Sequence, residues 1–381
     1  MMDRKKIKYL FLITGMPMGG AERVMATLAN EFVKRGHQVR LVTLKKAVSA
    51  YELDKRVEFI GGGADINSGN FLIKRIQMIS AVIKGTLFYR RQLREYKPDI
   101  ILSFLTYTNL LSVINNRISR VKYPVVVSER CDPRKRSKLL IKLCNIVYPL
   151  ADCIVCQSKV IQDYFLNKNP KSVTKVIPNP VNEECINKEE IIKRRKLIVA
   201  VGRLSNQKNY DLLIDAFSDI ANEYSEYRLE IYGEGPERER LQKKINRLGL
   251  NDRIQLMGTK TNVMKHIADA QLFVMSSNFE GFPNALAEAM ASGLPVISTN
   301  FPSGVAKELI IDGENGYVVD INNREQMADA MRKILGDPLT ITKMSKNNVL
   351  LREKLNVKTV ANMWENLFND ILEKRTKNEK N

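Results

Sequence analysis

The sequence predicts an α/β protein made of two doubly wound domains, each with a parallel sheet. Short apolar runs rich in β-branched residues alternate with longer stretches of helical periodicity, and this alternation starts afresh in the second half of the chain. Runs that are apolar throughout are typical of strands covered by helices on both faces. The 381 residues are enough for two separate cores.

Ten strands are predicted, five in each half, with helices such as 19–36 and 209–224 between them. The first five runs are KYLFLIT (8–14), QVRLVTL (38–44), DIILSF (99–104), PVVVSE (124–129) and DCIVCQ (152–157). The second five are KLIVAVG (196–202), YRLEIYG (227–233), RIQLMG (253–258), LFVMSS (272–277) and LPVIST (294–299).

Three segments follow from this pattern. The first domain is expected over residues 1–182, because Asn179 and Pro180 end its last element. The second is expected over 183–356. Residues 357–381 are predicted to form an amphipathic helix that carries Trp364 and packs back on the first domain, followed by a disordered tail from residue 376.

Composition favours a soluble, cytoplasmic protein. Hydrophobic residues make up 44% and charged residues 27% of the chain. No apolar run reaches the roughly 18 residues of a spanning helix, and we predict no signal peptide. Cys153 and Cys156 form a C-x-x-C without a second pair, which favours a core role over a metal or redox site. We expect free thiols in the cytoplasm.

The positive charge is unevenly distributed. Residues 1–182 hold 32 Lys and Arg against 13 Asp and Glu, a net charge of +19, whereas the remainder holds 29 of each. This asymmetry indicates that the first domain faces something anionic.

Two glutamates, Glu280 and Glu288, flank a proline in EGFPNALAEAM (280–290). Because proline is tolerated in the first turn of a helix but not in its interior, the helix is expected to begin near Pro283 or Asn284. Glu280 would then lie on the loop after a strand and Glu288 inside the helix, where ligands bind in open α/β sheets. The amides of Phe282, Asn284 and Ala285 would form an anion site at the helix N-terminus.

Two further stretches fit an anionic ligand. Gly202 and Arg203 follow a predicted strand and Lys208 precedes a helix, so that a guanidinium and an ammonium would be available to a diphosphate. Gly19 and Gly20 follow the first strand, where they would let the backbone approach a phosphate. Taken singly, each feature has an ordinary structural reading as a turn, a solvated cation or a helix cap.

The chain resembles the family 4 retaining glycosyltransferases of GT-B fold. The resemblance runs end to end and is densest over 197–320. It is similar to the branch that extends lipid-linked glycans in bacteria, on the stretches DIILSFLTYTN, VVVSER and FPSGVAKELI. The motifs that carry the family match are the E-x7-E pair in SSNFEGFPNALAEAMASGLPVIST, then VGRLSNQKNYDLLIDAF, YGEGPERERL, MGTKTNVMKHIADA, MGGAER, GENGYVVD and KELIIDG.

The resemblance implies a donor site. Glu280 would contact hydroxyls of the donor sugar and Glu288 those of the ribose. Arg203 and Lys208 would bind the diphosphate of a nucleotide sugar, for which the resemblance favours UDP. Gly19 and Gly20 would match the loop that closes over the donor, and Gly258 would border the base. The implied fold is two Rossmann-like domains that face each other across a cleft.

The acceptor side departs from the family pattern. Many relatives carry a histidine after the fourth or fifth strand, where this chain has Arg130. Arg130, with Glu129, is therefore the acceptor-side candidate, and the acceptor is expected to be a lipid-linked saccharide. His37 and His266 are expected to be structural. No D-x-D motif occurs. Neither a cofactor nor a metal is expected, because Arg203 and Lys208 already supply positive charge for the diphosphate.

Two other functions remain open: a nucleotide-sugar epimerase of the same fold and a basic nucleic-acid-binding protein. The first would need a base in the cleft, and the second lacks a recognisable binding motif. We expect instead that the first domain docks on the anionic inner face of the plasma membrane. The predicted docking helix, 70–97, has an apolar stripe and basic flanks. The stripe comprises Leu72, Ile76, Ile79, Ile83 and Leu87, the flanks comprise Lys74, Arg75, Lys84, Arg90, Arg91, Arg94 and Lys97, and RKRSK (134–138) is a second site.

Overall fold

The computed structural model describes residues 6–63, 71–130, 132–181 and 194–380, without the side chains of 71–79 and 378–380. The chain divides into two compact units, Met1–Pro180 with Val357–Asn381, and Val181–Asn356. The boundary predicted between residues 182 and 183 lies outside the described residues.

The first unit contains a seven-stranded parallel sheet in the order β3-β2-β1-β4-β5-β6-β7. Its strands are β1 (Lys8–Ile13), β2 (Gln38–Thr43), β3 (Glu58–Gly61), β4 (Ile100–Phe104), β5 (Val125–Ser128), β6 (Cys153–Cys156) and β7 (Thr174–Val176). Its helices are α1 (Gly20–Lys34), α2 (Phe71–Tyr96), α3 (Thr106–Ile118), α4 (Lys138–Val147) and α5 (Lys159–Lys168), with 3-10 turns at Pro133–Lys135 and Tyr148–Leu150.

The second unit repeats the arrangement with six parallel strands in the order β10-β9-β8-β11-β12-β13. Its strands are β8 (Arg195–Val201), β9 (Arg228–Tyr232), β10 (Ile254–Gly258), β11 (Ala270–Met275), β12 (Val296–Thr299) and β13 (Gly316–Val319). Its helices are α6 (Tyr210–Ile220), α7 (Arg238–Arg247), α8 (Val263–Ile267), α9 (Asn284–Ala291), α10 (Val305–Leu309), α11 (Arg324–Leu335), α12 (Pro338–Val349) and α13 (Leu351–Leu355).

Each sheet is buried between two helical layers, as the uniformly apolar strands predict. In the first unit, Tyr9 and Phe11 of β1 pack toward α1, whereas Leu10 and Leu12 pack toward α2–α5. The α/β prediction of two doubly wound sheets is confirmed. All ten predicted strands are present, but β3, β7 and β13 were not predicted.

The last helix, α14 (Val357–Lys380), belongs to the first unit and packs beside α1. Trp364 and Phe368 are fully buried in the core under α1. His37 anchors the same helix, because its Nε2 donates to Glu365 Oε1 at 2.9 Å, so the structural role predicted for His37 is confirmed. The disordered tail is a wrong prediction, since residues 376–380 continue the helix.

The buried cysteines fit the predicted core role. Cys153 and Cys156 lie on β6 as free thiols with no exposed surface. Burial raises the pKa of Cys153 to about 12. Among the described residues, no helix is both long enough and apolar enough to cross a bilayer.

Candidate functional site

The strand order of the second unit defines a crevice at its carboxyl edge. Strands β8 and β11 are neighbours, yet α6 after β8 and α9 after β11 pack on opposite faces of the sheet. Such a reversal opens a crevice at the carboxyl ends of the two strands, which is where ligands bind in open α/β sheets. The loops 202–209 and 276–283 that follow these strands contain most of the predicted site residues.

Lys208 and Glu280 meet at this reversal. Lys208 Nζ lies 2.6 Å from Glu280 Oε1, and the two side chains are 17% and 10% exposed. Ser277 Oγ donates to the same carboxylate oxygen at 2.7 Å, and Gln207 Nε2 lies 3.4 Å from Oε2. The carboxylate is thus fixed from three sides. Neither Ser277 nor Gln207 was predicted as a site residue.

The two loops also bind each other through their backbones. Ser276 Oγ donates to the carbonyl of Lys208 at 2.8 Å, and Gln207 Nε2 donates to the carbonyl of Phe279 at 2.9 Å. The amide of Asn278 donates to the carbonyl of Gln207 at 2.8 Å. These bonds make the two loops one rigid element, so Lys208 and Glu280 are preorganised.

Gly202 makes room for the lysine. A Cβ at this position would lie 2.7 Å from Lys208 Cε and 2.9 Å from the hydroxyl of Tyr210. Any larger residue would therefore push Lys208 away from Glu280. Arg203, the next residue, is exposed at the mouth of the same loop. An exposed guanidinium and a salt-bridged ammonium are thus present at one strand end, where the sequence predicts the two cations.

Two glycines of the turn after β9 pack directly against this loop. Gly233 has a φ of +141°, and a Cβ on it would lie 2.0 Å from the carbonyl oxygen of Gly202. A Cβ on Gly235 would lie 2.2 Å from the carbonyl oxygen of Leu204. Gly258, the predicted neighbour of a base, ends β10 and accepts from the amide of Gly233 at 2.9 Å. The motif YGEGPERERL, which carries part of the family resemblance, spans this turn.

The E-x7-E helix begins where the sequence predicts. Pro283 is the residue before α9, Glu280 lies on the preceding loop, and Glu288 is buried inside the helix. Phe282 is buried, and Asn284 and Ala285 are half-buried. The amide of Asn284 donates to the carbonyl of Phe282 at 3.0 Å. Of the three amides expected to receive an anion, this one is therefore engaged within the turn.

The diglycine of the first unit lies at the start of α1. Gly19 precedes the helix and Gly20 is its first residue. The Tyr51 hydroxyl accepts from the Gly19 amide at 2.8 Å and donates to the Gly19 carbonyl at 2.7 Å, which pins the loop. The carboxylate of Glu22, a residue not predicted, folds over Gly19: a Cβ there would meet Glu22 Oε2 at 2.3 Å. Burial raises the pKa of Glu22.

Glu129 is bound on both carboxylate oxygens. Oε1 accepts from the amide of Arg130 at 3.0 Å and pairs with Arg136, while Oε2 accepts from the Tyr148 hydroxyl at 3.1 Å. Only 2% of Glu129 is exposed. Its carboxylate has a structural role, because it joins the end of β5 to the segment before α4.

Arg130 is buried at the carboxyl edge of the first sheet. Its guanidinium carbon lies 3.7 Å from the centroid of the Phe104 ring and 5.9 Å from that of Trp364. Its Nη1 donates to Asn179 Oδ1, which also accepts from Gln157 at 2.8 Å. Arg130 therefore links the ends of β4, β5 and β6 to α14. His266 of the second unit is exposed in α8.

The chain is similar to glycosyltransferases along most of its length. Residues 181–349 match the family described as glycosyl transferases group 1, and residues 18–184 match glycosyltransferase family 4. A relative 29% identical over 358 residues, 90% of this chain and 93% of the relative, is the N-acetylgalactosamine-N,N'-diacetylbacillosaminyl-diphospho-undecaprenol 4-alpha-N-acetylgalactosaminyltransferase of Campylobacter jejuni.

Solved structures share the fold. Sucrose-phosphate synthase from Thermosynechococcus elongatus is 17% identical with a TM-score of 0.81, over 97% of this chain and all of that chain. Anabaena HepE in complex with UDP is 20% identical with a TM-score of 0.78, over 96% of this chain and all of that chain. The GT-B class expected from the resemblance is confirmed.

Proposed function

The chain belongs to the group 1 and family 4 glycosyltransferases, and from that membership we propose that it is a retaining enzyme that extends a lipid-linked saccharide. The donor is a hexose or N-acetylhexosamine on a nucleoside diphosphate, with UDP preferred. One observation carries the proposal: Lys208 and Glu280 meet at the strand reversal of the second unit, beside Arg203.

In the proposed donor site, cationic side chains bind the diphosphate and carboxylates accept hydrogen bonds from hydroxyl groups. Arg203 and Lys208 stabilise the negative charge that develops on the diphosphate as the anomeric bond breaks. Glu280, held by Ser277 and Gln207, accepts hydrogen bonds from the sugar hydroxyls. Glu288 binds the ribose. Phe282, Asn284 and Ala285 line the start of α9, and Gly202, Gly258, Gly19 and Gly20 give the donor room to approach the backbone.

The reaction proceeds on one face of the sugar. The bond between the anomeric carbon and the phosphate oxygen breaks with its electron pair passing to the diphosphate. The acceptor hydroxyl forms the new bond on the same face, and its proton passes to the departing phosphate oxygen. Both carboxylate oxygens of Glu129 are engaged by protein donors, which supports a mechanism without a protein base.

The acceptor proposal rests on the relatives and on charge. The Campylobacter relative is named for a diphospho-undecaprenol substrate, and we propose a saccharide on a lipid diphosphate for this chain. Arg130 is the acceptor-side candidate on the first unit. The protein would work in the cytoplasm at the anionic inner face of the plasma membrane, in polysaccharide or glycan biosynthesis.

Helix α2 is the membrane contact that the sequence predicts. Ile83 and Leu87 are 55% and 59% exposed, and Lys84, Arg91, Arg94 and Lys97 are exposed as well. Arg90 is half-buried and donates to Asn115 Oδ1 at 2.7 Å, so it is tied to α3. The side chains of Leu72, Lys74, Arg75, Ile76 and Ile79 lie outside those described.

A transfer assay with a panel of nucleotide sugars and a short-chain lipid diphosphate saccharide tests the proposal. We expect a product one sugar longer whose new linkage has the anomeric configuration of the donor, as read by NMR coupling constants. An inverted linkage would exclude retention. Conversion of the nucleotide sugar into its epimer without an acceptor would indicate an epimerase. Binding of nucleic acid without any sugar transfer would indicate a nucleic-acid-binding protein.

A metal requirement is part of the same assay. Among the described residues, no group of three His, Cys, Asp or Glu side chains is placed to hold an ion. We propose that no metal and no further cofactor take part, because Arg203 and Lys208 supply the positive charge. Turnover that stops with chelator and returns with Mg²⁺ would refute this.

A further inference from the structure

We propose that the outer face of helices α3 and α4 is the surface by which the first unit seats in a bilayer containing anionic lipid. This α3–α4 face consists of Ile114, Ile118, Leu139, Leu143, Ile146 and Leu150, with Lys135, Lys138 and Lys142 beside them. The inference rests on the proposed lipid-linked acceptor and assigns a docking surface other than α2.

The outer face of α4 is an apolar stripe. Leu139, Leu143 and Ile146 follow the helical spacing of four and three residues, and they are 79%, 40% and 60% exposed. Leu150, at the end of the following 3-10 turn, continues the stripe and is 44% exposed. The opposite side of the helix, with Cys144 and Val147, already fills the core. The exposed leucines therefore lie on the side of α4 that faces away from the core.

Helix α3 extends this surface. Ile114 and Ile118 lie one turn apart and are 40% and 65% exposed, while Leu110 and Val113 face the core. The two helices pack against each other, and Arg117 Nη2 donates to the carbonyl of Leu150 at 2.9 Å. The ends of the two apolar stripes are therefore adjacent. Together they form a contiguous apolar patch, whereas exposed apolar residues on most protein surfaces are isolated.

Exposed aliphatic residues are concentrated in this layer. Of the 22 large hydrophobic residues that are exposed among the described part of the chain, 12 fall between residues 82 and 160. The described residues of the second unit include six, and three of these, Leu339, Val349 and Leu350, lie on or directly after α12. Single exposed apolar residues need no explanation, whereas six aliphatic ones on α3, α4 and the turn after α4 indicate a binding surface.

The charge on this layer is mostly positive. Residues 101–150 contain nine Lys and Arg but only two acidic residues, Glu129 and Asp132. Both acids are buried, at 2% and 5% exposed, and each pairs with an arginine. Lys138 and Lys142 lie one turn apart beside the leucine stripe and are exposed. The surface thus offers aliphatic groups and mostly cations. Asp152, two residues after Leu150, is an exposed carboxylate at its margin, and its Oδ2 accepts from the amide of Val125 at 2.7 Å.

This combination fits an anionic bilayer better than a second copy of the chain. A helix with an apolar face and a lysine-rich flank lies in the interface, with its apolar face buried about 5–10 Å deep. Each Lys or Arg near an anionic leaflet adds to the attraction. Two copies meeting through this face would instead place lysines against lysines, which disfavours self-association.

Docking through α4 would also fix the acceptor-side residues. Arg136 lies two residues before α4 and pairs with Glu129, and the Glu129 carboxylate is held by the amide of Arg130. Helix α4 is therefore joined rigidly to the carboxyl end of β5. A bilayer that holds α4 would hold Arg130 at a set depth, which suits an enzyme whose acceptor is anchored in that bilayer.

Vesicle sedimentation of the full chain tests the proposal. The vesicles contain one part phosphatidylglycerol to two parts phosphatidylcholine, or phosphatidylcholine alone. One variant combines Leu139→Ser, Leu143→Ser and Ile146→Ser, and another combines Lys135→Glu, Lys138→Glu and Lys142→Glu. The matched control, Ile311→Ser with Leu339→Ser and Leu350→Ser, removes three exposed aliphatic residues from the second unit. Ile83→Ser with Leu87→Ser tests α2.

We expect the parent and the second-unit control to bind the anionic vesicles equally and the neutral vesicles weakly. Both α4 variants should bind about a hundredfold more weakly or worse, from lost apolar burial or reversed charge. Turnover of a short-chain, water-soluble acceptor should not change, because none of these side chains is part of the proposed site. That arm separates the two proposals, since its failure in the parent would refute the proposed function and leave the vesicle result standing.

Several results would overturn the docking surface. These are parent-like binding by both α4 variants, loss of binding only in the α2 variant, equal binding to neutral vesicles, or no binding by the parent. A parent that sediments as a dimer without vesicles, and an α4 variant that sediments as a monomer, would assign the face to a second copy.

Discussion

Lys208 and Glu280 follow two strands that are neighbours in the sheet but lie 72 residues apart in sequence, and their side chains meet at 2.6 Å. This salt bridge joins Lys208, the proposed partner of the diphosphate, to Glu280, the proposed partner of the sugar hydroxyls. The pair is only slightly exposed, so the two groups depend on each other's charge more than a surface pair would.

Glu280→Gln keeps the shape of the side chain and removes its charge. We expect the rate of sugar transfer to fall roughly 10²-fold or more, with donor affinity little changed, because the contact strengthens in the transition state. Steady-state kinetics with separate kcat and KM measure this. Glu314→Gln is the control, because Glu314 also pairs with a lysine, Lys343, but on the exposed surface. Near-normal turnover of Glu280→Gln would remove Glu280 from the site.

Arg203→Ala and Lys208→Ala should each cost about 2–4 kcal/mol of transition-state stabilisation, the range for loss of one charge-stabilising donor. The ratio of kcat/KM between variant and parent measures this cost. Lys343→Ala should be neutral. We also expect chelator to leave the parent rate unchanged. Losses below about 1 kcal/mol in both variants would contradict a role at the diphosphate.

Gly235→Ala should destabilise the second unit. Its Cβ would lie 2.2 Å from the carbonyl oxygen of Leu204, a backbone atom that cannot turn aside. We expect a loss of about 2–4 kcal/mol, in the range of other changes that force the backbone to move. Gly249→Ala is the matched control: φ is +67° there, but nothing lies within 4 Å of the new methyl group, so strain alone should cost about 1–2 kcal/mol. Thermal unfolding of both variants measures the difference. Equal Tm values would be evidence against the close approach of residue 235 to the carbonyl oxygen of Leu204.

Glu365→Gln should weaken the attachment of α14 in a pH-dependent way. Burial raises the pKa of Glu365, but hydrogen bonds from His37 and Arg35 outweigh it and hold the pKa below its usual value of 4.5. A carboxyl whose pKa is lowered by folding stabilises the protein above its unfolded-state pKa, and this stabilisation disappears as pH falls through the folded-state value. We therefore expect a loss of about 1–3 kcal/mol near neutral pH that shrinks in acid.

Tm measured against pH for Glu365→Gln and the parent checks this. The exposed Glu353→Gln serves as control. A difference in Tm that grows toward low pH would mean that Glu365 is not the stabilising carboxylate.

The hydrophobic periodicity of the sequence was sufficient to predict the fold class and the central strands, but not the edge strands. The uniformly apolar runs of β1 and β8 identified central strands, because only strands covered on both faces lack polar residues. The missed strands β3, β7 and β13 all lie at sheet edges. Edge strands are short and partly exposed, as the pattern of Thr174–Val176 shows, so their sequences resemble loops.

The site was predicted in its parts but not in its contacts. Pro283 and the strand ends placed Glu280, Arg203 and Lys208 at one crevice, because the carboxyl ends of parallel strands share an edge. The pairing of Lys208 with Glu280 depends on the strand order, which periodicity does not contain. Arg136 and Tyr148 engage Glu129, but RKRSK was interpreted only as a docking sequence and Tyr148 lies in no motif. The structural role of this carboxylate was therefore not recognised from the sequence.

The return of α14 to the first unit has a consequence for how the chain is made. The second unit is an insertion, and its ends are joined where the amide of Val181 donates to the carbonyl of Leu355 at 2.7 Å. During synthesis, residues 181–356 are complete before Trp364 and Phe368 leave the ribosome, whereas the core under α1 needs both of them. The first unit, although its strands are encoded first, therefore completes its core only with residues that follow the whole second unit in sequence.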